Sequence, residues 1–274
     1  MRRMKLKQWI TGAVLTIMVL SLVGCGRDVQ KAEAVRDDSL QKVLDAEQLV
    51  LGLDDSFPPM GFVDAAGEIV GFDIDVAQEA CDRLGVRLVK QGINWDSKEE
   101  YLNSRRIDCI WNGLSVTPGR ADSMSLSDPY MKNELIIVVP GASDVMTLRD
   151  LKGRTVGVQS GSTAQEALEA SELYPEITMT TYDTVEILVN RLNGKEVDAA
   201  LIDSVAAYYF IFSSDEQYFI LSGSLGEEEY AIGFRKDDVA LRDKIQELIN
   251  EMKADGTLGK ISRKWFGSDI TIIR

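Results

Sequence analysis

Residues 107 to 120 read Ile-Asp-Cys-Ile-Trp-Asn-Gly-Leu-Ser-Val-Thr-Pro-Gly-Arg, and this stretch organises the rest of the chain. Its apolar start, Ile107 to Trp111, predicts a buried strand, and Pro118 with Gly119 predicts a turn after it. Between them lie short donors and acceptors, namely Asn112, Gly113, Ser115 and Thr117. Arg120 closes the stretch with a planar fork of N–H groups that suits a carboxylate. Two interpretations stay open from these residues: the floor of a small-molecule site for a carboxylate ligand, or a strand-to-helix loop with a solvated arginine.

The length, net charge and composition of the chain argue against several classes of function. A length of 274 residues suits one large domain or two lobes. The net charge of -14 argues against a nucleic-acid partner, because phosphate neutralisation needs clustered Lys and Arg. The chain has no histidine, which removes His-based acid–base catalysis, the Ser-His-Asp triad and most zinc or copper sites. We therefore expect no metal, no cofactor and no hydrolase chemistry.

The first 25 residues have the pattern of an export signal. Four positive charges are followed by an apolar run, Trp9 to Val23, that is short for a membrane span. The run ends in Leu-Val-Gly-Cys at residues 22–25, which resembles the bacterial lipobox. We expect residues 1–24 to be a signal peptide, Cys25 to be lipidated, and residues 25–39 to form a polar tether. The alternative is a membrane anchor that stays attached; either one places the body outside the cytoplasm.

Candidate site residues precede the central stretch. The strand Gln48 to Leu53 leads into a loop whose prolines, at 58 and 59, forbid regular structure and fix the position of Asp54. Phe57 is either a wall for a ligand or a core residue, and Trp95, before the next helix, either lines a cleft or plugs the core. Between them, Asp73 is expected to cap a helix.

A weak internal repeat links the two halves. Residues 102–110 match residues 192–200 as a helix end, a basic turn and an Ile/Val-Asp strand. The second copy leads to Asp203, at the carboxyl end of its strand. Because ligands in open α/β sheets bind outside the carboxyl ends of the strands, we expect Asn112 to Ser115 and Asp203 to face each other from two similar lobes.

A glycine- and hydroxyl-rich turn, Gln159 to Thr163, follows another strand and opens a helix. The N–H groups at such a helix start suit an anion and would give a carboxylate a second clamp. The alternative is a purely structural cap formed by Ser162 and Gln165. No Gly-Lys-Ser/Thr follows, so a P-loop is excluded.

Three further expectations concern packing. The aromatic-rich helix from Val205 to Phe212 is expected to pack in the core. Residues 265–267, Trp-Phe-Gly, are expected to dock the C-terminus onto the body. Cys81 and Cys109 each lie in an apolar pattern, and although export permits a disulfide, two buried thiols are the default.

Together these segments resemble the family 3 extracellular solute-binding proteins, the amino-acid receptors of ABC importers, over roughly residues 40–267. The most specific segment is Gly-Phe-Asp-Ile-Asp-Val at residues 71–76. The other matching segments, in the family's order, are Asp54-x-x-Phe57-x-Pro59, Gly113-Leu114-Ser115-x-Thr117-x-x-Arg120, Ser160-Gly161-Ser162-Thr163 and Val197-Asp198-Ala199-x-x-x-Asp203.

The resemblance implies a fold of class α/β, the two-lobed, periplasmic-binding-protein-like (type II) fold with a hinge of two crossing strands. Residues 40–140 plus 227–274 would form lobe 1, and residues 141–226 would form lobe 2. The crossings would lie near residues 138–141 and 223–230. The implied partners are an ABC permease and its ATPase, and membrane lipid through Cys25.

The resemblance also implies roles for single residues. Arg120 would hold the α-carboxylate of an amino acid, helped by the backbone N–H groups of Ser115 and Thr163. Asp203 and the carbonyl of Gly113 would accept hydrogen bonds from the α-ammonium group.

The side chain of the amino acid would lie between Phe57 and Trp95, with Asp54 at its polar or basic end. Ser160 belongs to the same Ser-Gly-Ser-Thr segment, and Asn112, larger than the family's usual residue, would narrow the pocket or add a hydrogen bond.

Two other functions stay open from the sequence. One is a secreted cyclohexadienyl (prephenate or arogenate) dehydratase-like enzyme on the same fold, although no general acid is placed for it. The other is a sensor or adhesion lipoprotein. Fold alone does not decide among them.

Overall fold

The structure, a computed structural model, describes residues 37–273. The predicted signal peptide and Cys25 lie outside the described residues. Strands in chain order are β1 Gln48–Leu53, β2 Ser56–Phe57, β3 Gly61–Val63, β4 Ile69–Val70, β5 Arg87–Gly92, β6 Cys109–Ser115, β7 Met124–Leu126, β8 Met131–Pro140, β9 Thr155–Gln159, β10 Thr178–Tyr182, β11 Ala199–Asp203 and β12 Tyr218–Arg235. The α-helices are α1 Ser39–Asp45, α2 Phe72–Leu84, α3 Lys98–Asn103, α4 Pro118–Ser123, α5 Thr163–Glu169, α6 Val185–Asn193, α7 Ser204–Ser213, α8 Val239–Ala254 and α9 Thr257–Phe266.

The described strands form one long mixed sheet and one small sheet. The long sheet runs in the order β10-β9-β11-β8-β12-β6-β1-β5, with β7 added beside β12. Each end is a parallel block, β10-β9-β11 at one end and β6-β1-β5 at the other. Strands β8 and β12 are antiparallel and join the two blocks. The small sheet is β2-β3-β4.

The chain crosses between the blocks on β8 and β12. Leu135 of β8 still pairs with Asp203 of β11, in the first block, whereas Tyr230 of β12 pairs with Ser115 of β6, in the second. The crossing therefore occupies residues 132–134 and 227–229. The second segment lies within the predicted range of 223–230. The first lies earlier than the predicted 138–141, because Val138 already pairs within the block that holds β11.

The predicted internal repeat is confirmed in the backbone. Arg105 and Lys195 occupy equivalent turns, and both have a left-handed φ, 61° and 58°. The aspartate that follows each turn makes two hydrogen bonds to one residue of the neighbouring parallel strand, one through its side-chain carboxylate and one through its backbone N–H. Asp108 accepts from the N–H of Val50 and donates to its carbonyl, and Asp198 does the same with Thr155. Each lobe thus uses one turn-and-aspartate device to fix the register of the strand that leads to the site.

Apolar side chains form the core on both faces of the sheet. Cys81 and Cys109 are buried free thiols, as predicted. The C-terminal helix α9 docks as expected, since the indole N–H of Trp265 donates to Asp75 on α2 at 2.7 Å. Among residues 37–273, no helix combines the length and apolar character needed to cross a membrane.

The expectation for α7 was only partly right. Its first turn is buried through Val205, Ala206 and Ala207. Tyr208 and Phe212, however, are 51% and 83% exposed. The two exposed rings stack on each other, with centroids 6.4 Å apart. The helix is apolar on all sides, but Tyr208 and Phe212 lie on a side that is exposed, so its composition overstated its burial.

Candidate functional site

A small polar cavity lies where the strand ends of the two blocks meet. Seven of its lining residues come from the block of β1 and β6, and four come from the block of β9 and β11. The lining residues are Asp54, Phe57, Trp95, Asn112, Gly113, Ser115, Arg120, Gln159, Ser162, Thr163 and Asp203. Nine of the ten candidate binding residues are therefore brought together around one cavity.

Ser160 is the tenth candidate, and it is not among the lining residues. Its N–H donates to the carbonyl of Tyr182, which holds it in the sheet edge. Its neighbours Gln159 and Ser162 line the cavity instead. Both belong to the turn that the sequence marked. The segment and Thr163 within it were therefore found, but Gln159 and Ser162 were not named as binding residues.

The basic wall of the cavity is Arg120, only 5% exposed. Thr117 caps α4 by accepting from the N–H of Arg120, which fixes the helix start. The guanidinium donates to the carbonyl of Ser115 at 2.8 Å, and within the described residues this is its one side-chain hydrogen bond. Loss of water around the guanidinium lowers its pKa, although an arginine stays charged at neutral pH. A buried cation with free donors is suited to an anionic ligand.

An acidic wall stands on the other block at Asp203. Its Oδ1 accepts from the hydroxyl of Tyr230 at 2.6 Å and from the side-chain amide of Asn133 at 2.5 Å. Burial, together with the nearby carboxylate of Glu228, raises the pKa of Asp203 to about 7, while Arg120 opposes the rise. A buried carboxylate with this pKa favours a cationic partner.

A second acidic group, Asp54, lies at the end of β1. Its carboxylate accepts from the side-chain amide of Gln159 at 2.6 Å and from the N–H of Ser56 at 2.9 Å. Burial raises the pKa of Asp54 to about 6. The side-chain carbonyl of Asn112 accepts from the N–H of Asp54, whereas the amide nitrogen of Asn112 is buried without a hydrogen-bond partner among the described residues.

Gly113 lies in the floor of the cavity, against the ring of Phe57. Its φ of 58° is left-handed, and a Cβ at this position would lie 2.8 Å from the ring of Phe57. Only glycine therefore lets Phe57 close over the floor. Phe57 and Trp95 are both nearly buried and provide the apolar walls.

Asp73 corrects an expectation from the sequence. It does not cap α2, which is preceded by Gly71; it lies inside the helix and is fully buried. Its Oδ2 accepts from the N–H of Gly113 at 2.8 Å and from the hydroxyl of Tyr130 at 2.9 Å. Burial raises the pKa of Asp73 to about 7. This aspartate thus holds the cavity floor in place from below.

Besides the bond from Tyr230 to Asp203, three direct contacts cross between the two blocks around the cavity. The first is the bond from Gln159 to Asp54. The second is the bond from the Lys98 ammonium to the carbonyl of Gly161, at 2.9 Å. The third joins the hydroxyls of Thr163 and Ser115, at 3.4 Å. The structure therefore shows the two lobes closed on each other.

Two parallel α/β blocks that close over a polar cavity through a two-strand hinge define a two-lobed solute-binding protein. The profile of the bacterial extracellular solute-binding proteins, family 3, matches residues 49–268. The chain belongs to this family.

Similar proteins include binding proteins for several amino acids. The chain is 32% identical to the arginine-binding extracellular protein ArtP of Bacillus subtilis (strain 168), over 95% of this chain and 98% of that protein. It is 29% identical to the L-cystine-binding protein TcyJ of Escherichia coli (strain K12), over 98% and 100%.

Solved structures give the same result. The chain superposes on Tv2483 bound to L-arginine with a TM-score of 0.84 and 34% identity, covering 88% of this chain and 100% of that one. An ABC uptake transporter substrate-binding protein from Streptococcus pneumoniae with bound histidine gives a TM-score of 0.83 and 34% identity, covering 86% and 99%.

Proposed function

We propose that this chain is an extracytoplasmic receptor that binds a polar or basic L-amino acid between its lobes and delivers it to an ABC importer. One observation carries the proposal: a buried guanidinium and two buried carboxylates, Arg120, Asp203 and Asp54, line one small cavity. A zwitterion needs one fixed cation and one fixed anion. The second carboxylate suits a ligand with a further donor or positive charge on its side chain.

The proposed roles follow from this geometry. Arg120 binds the α-carboxylate in two places, with the N–H groups of Ser115 and Thr163 beside it. Asp203 and the carbonyl of Gly113 accept from the α-ammonium group.

The side chain of the ligand then extends between Phe57 and Trp95. Asp54 and Gln159 lie at its end, and together they offer a carboxylate and an amide. An arginine, lysine or similar side chain would satisfy both the charge and the hydrogen bonds. Asn112, whose amide nitrogen has no partner among the described residues, supplies one more donor at this end.

The division into lobes is part of the proposal. Lobe 1 comprises residues 40–140 plus 227–274, and lobe 2 comprises residues 141–226. The pairing of β8 with β11 favours an earlier first boundary, near residue 134. Closure about the crossing strands would trap the ligand, and opening would release it to the permease.

The anchoring of the protein is also a proposal. The Leu-Val-Gly-Cys sequence at residues 22–25 supports cleavage after residue 24 and lipidation of Cys25. The body would then be tethered to the outer face of the cell membrane by the segment that follows Cys25. This segment is shorter than the predicted 25–39, because Ser39 is buried and begins α1. Metabolic labelling with a tritiated fatty acid tests this: label should enter the native protein and be absent from Cys25→Ser.

The enzyme alternative has no support, because the similar proteins named above are binding proteins. A thermal-shift screen against the twenty amino acids tests the binding function directly. A ligand that binds the native state stabilises it by about 2.7 kcal/mol at a ligand concentration 100 times Kd, and this raises the melting temperature. A screen in which no amino acid shifts the melting temperature would refute the proposal.

A further inference from the structure

Lys98 is a buried cation that the binding roles above leave unused. It is the first residue of α3, it is only 5% exposed, and it is not among the residues that line the cavity. Among residues 37–273, Lys98 and Arg120 are the two buried basic side chains, and neither forms an ion pair with a carboxylate of that range. A lysine is almost never buried this deeply unless it is paired, so the position of Lys98 needs a physical reason.

Carbonyl groups of both lobes hold the ammonium group of Lys98. It donates to the carbonyl of Trp95 in its own lobe, at 3.2 Å, and to the carbonyl of Gly161 in the other lobe, at 2.9 Å. It also lies over the indole of Trp95, 5.2 Å from the ring centroid. Trp95 lines the cavity, and Gly161 belongs to the turn whose next residues, Ser162 and Thr163, line it as well. Lys98 thus supports two walls of the cavity from outside.

The charges near Lys98 leave it unneutralised. Burial, and in addition the nearby charge of Arg120, lower the pKa of Lys98 to about 8, so most of the lysine stays protonated at neutral pH. The carboxylates of Glu99, Asp96 and Glu166 oppose this effect from a distance. Asp96 and Glu166 are exposed and Glu99 is half-buried, so water screens their attraction. Two positive charges therefore lie close together beside the cavity.

A carboxylate in the cavity would balance both cations. Arg120 lines the cavity, and its guanidinium keeps donors free beside the turn that Lys98 holds. Asp203 attracts Arg120 as well, but the two form no ion pair, and Asp203 has the proposed role of binding the α-ammonium group. A carboxylate bound between Arg120 and Thr163 supplies the missing negative charge, whereas a neutral carboxamide of the same shape does not.

We propose that Lys98 is a positioning residue of the α-carboxylate subsite. Its ammonium group holds the turn of residues 161–163 against the cavity, so that the N–H of Thr163 meets the carboxylate. Its positive charge strengthens the preference of the site for a carboxylate over a neutral group. Because Gly161 lies on the other lobe, Lys98 does this when the lobes are closed. The inference rests on the proposed function, since it adds a determinant to the same site.

Calorimetry with L-arginine and L-argininamide tests the inference, because the amide replaces the charged carboxylate of arginine with a neutral group. Lys98→Met removes the charge and keeps the length of the side chain. From the usual strength of a hydrogen bond made by a charged group, we expect L-arginine to bind Lys98→Met about 10- to 100-fold more weakly than the native protein. L-argininamide should lose much less, so the preference for the carboxylate should fall by about tenfold.

Equal weakening of both probes by Lys98→Met would overturn the inference, because a contact that only holds the lobes together would affect both alike. Native affinity of Lys98→Met for L-arginine would overturn it too. Either result leaves the proposed binding function standing, since the native protein still binds. A native protein that binds no amino acid would refute the proposed function and the inference with it. If the thermal-shift screen selects another amino acid, that amino acid and its carboxamide are compared in the same way.

Lys90→Met is the matched control. Lys90 on β5 is half-buried, and its ammonium group donates at 2.8 Å to the carbonyl of Ile69, which belongs to the same lobe. The control removes one lysine charge and one bond to a carbonyl away from the cavity, so it should bind both probes as the native protein does. An equal loss of preference in Lys90→Met and Lys98→Met would assign the effect to net charge and would overturn the inference. If Lys98→Met does not fold, the neutral Lys98→Gln takes its place with the same expected loss of preference.

Discussion

Gly161 tests whether closure of the lobes is needed for tight binding. It lies in the turn before α5, does not line the cavity, and has a left-handed φ of 67°. A Cβ added there would lie 2.7 Å from both Cα and Oδ1 of Asp96 on the other lobe. Backbone at that distance cannot move aside easily, so Gly161→Ala should hold the lobes apart.

The cost of the substitution has two parts. Alanine in the left-handed region costs about 1–2 kcal/mol in both open and closed forms. The clash with Asp96 exists only in the closed form, and overpacking of this kind costs about 1–3 kcal/mol. Since about 1.4 kcal/mol corresponds to a tenfold change in Kd, we expect binding weaker by about 5- to 150-fold.

Gly153 supplies a matched control. Its φ is 75°, and an added Cβ meets nothing within 4 Å. Gly153→Ala therefore carries the backbone cost without the clash. Calorimetry with the amino acid selected by the screen should show weaker binding for Gly161→Ala alone, and small-angle scattering with saturating ligand should show it more extended. Equal Kd values for the two variants would refute the reasoning.

Three further predictions follow from the site and the core. Calorimetry should show that Arg120→Ala weakens binding of every α-amino acid by about 100-fold or more, because the ligand carboxylate is left buried without its cation. An Arg120→Ala protein with native affinity would contradict the proposed carboxylate clamp. Phe57→Ala, in contrast, should weaken binding to an extent that varies with the ligand side chain. The ligand-free protein should lose stability as pH rises from about 4 to 7. Burial raises the pKa of Asp73 to about 7, so in this range the folded state binds more protons than the unfolded chain, a contribution of at most about 4 kcal/mol. Urea unfolding at several pH values should show that the free energy of unfolding depends less steeply on pH in Asp73→Asn. The thiols of Cys81 and Cys109 should resist alkylation in the native protein, because burial raises the pKa of both; reaction within minutes without urea would contradict their burial.

Much of the site could be predicted because its residues follow strand ends. Asp54, Arg120 and Asp203 each come directly after an apolar run, and parallel strands bring their carboxyl ends to one edge. The internal repeat was also readable, since its turn and aspartate form a local pattern.

The rest depends on contacts distant in sequence. Asn133 and Tyr230 reach Asp203 only because β8 and β12 pair in one register, and a single sequence does not show that register. Asp73 was misassigned because the local sequence suggested a helix cap, whereas its actual contact is with the N–H of Gly113 on β6, which is distant in sequence. The aromatic residues of α7 suggested core, and only the position of the helix at the margin shows otherwise.

The place of β12 in the sheet has a consequence for how the protein is made. β6 pairs with β1 on one side and with β12 on the other, yet β12 ends at Arg235, more than a hundred residues after β6. While the chain is being synthesised or exported, the block of β5, β1 and β6 has an open edge until nearly all of the polypeptide has emerged. An open strand edge pairs readily with other chains. A polypeptide cut short before Tyr230 would therefore aggregate, although every cavity residue, Arg120 and Asp203 included, would already be present.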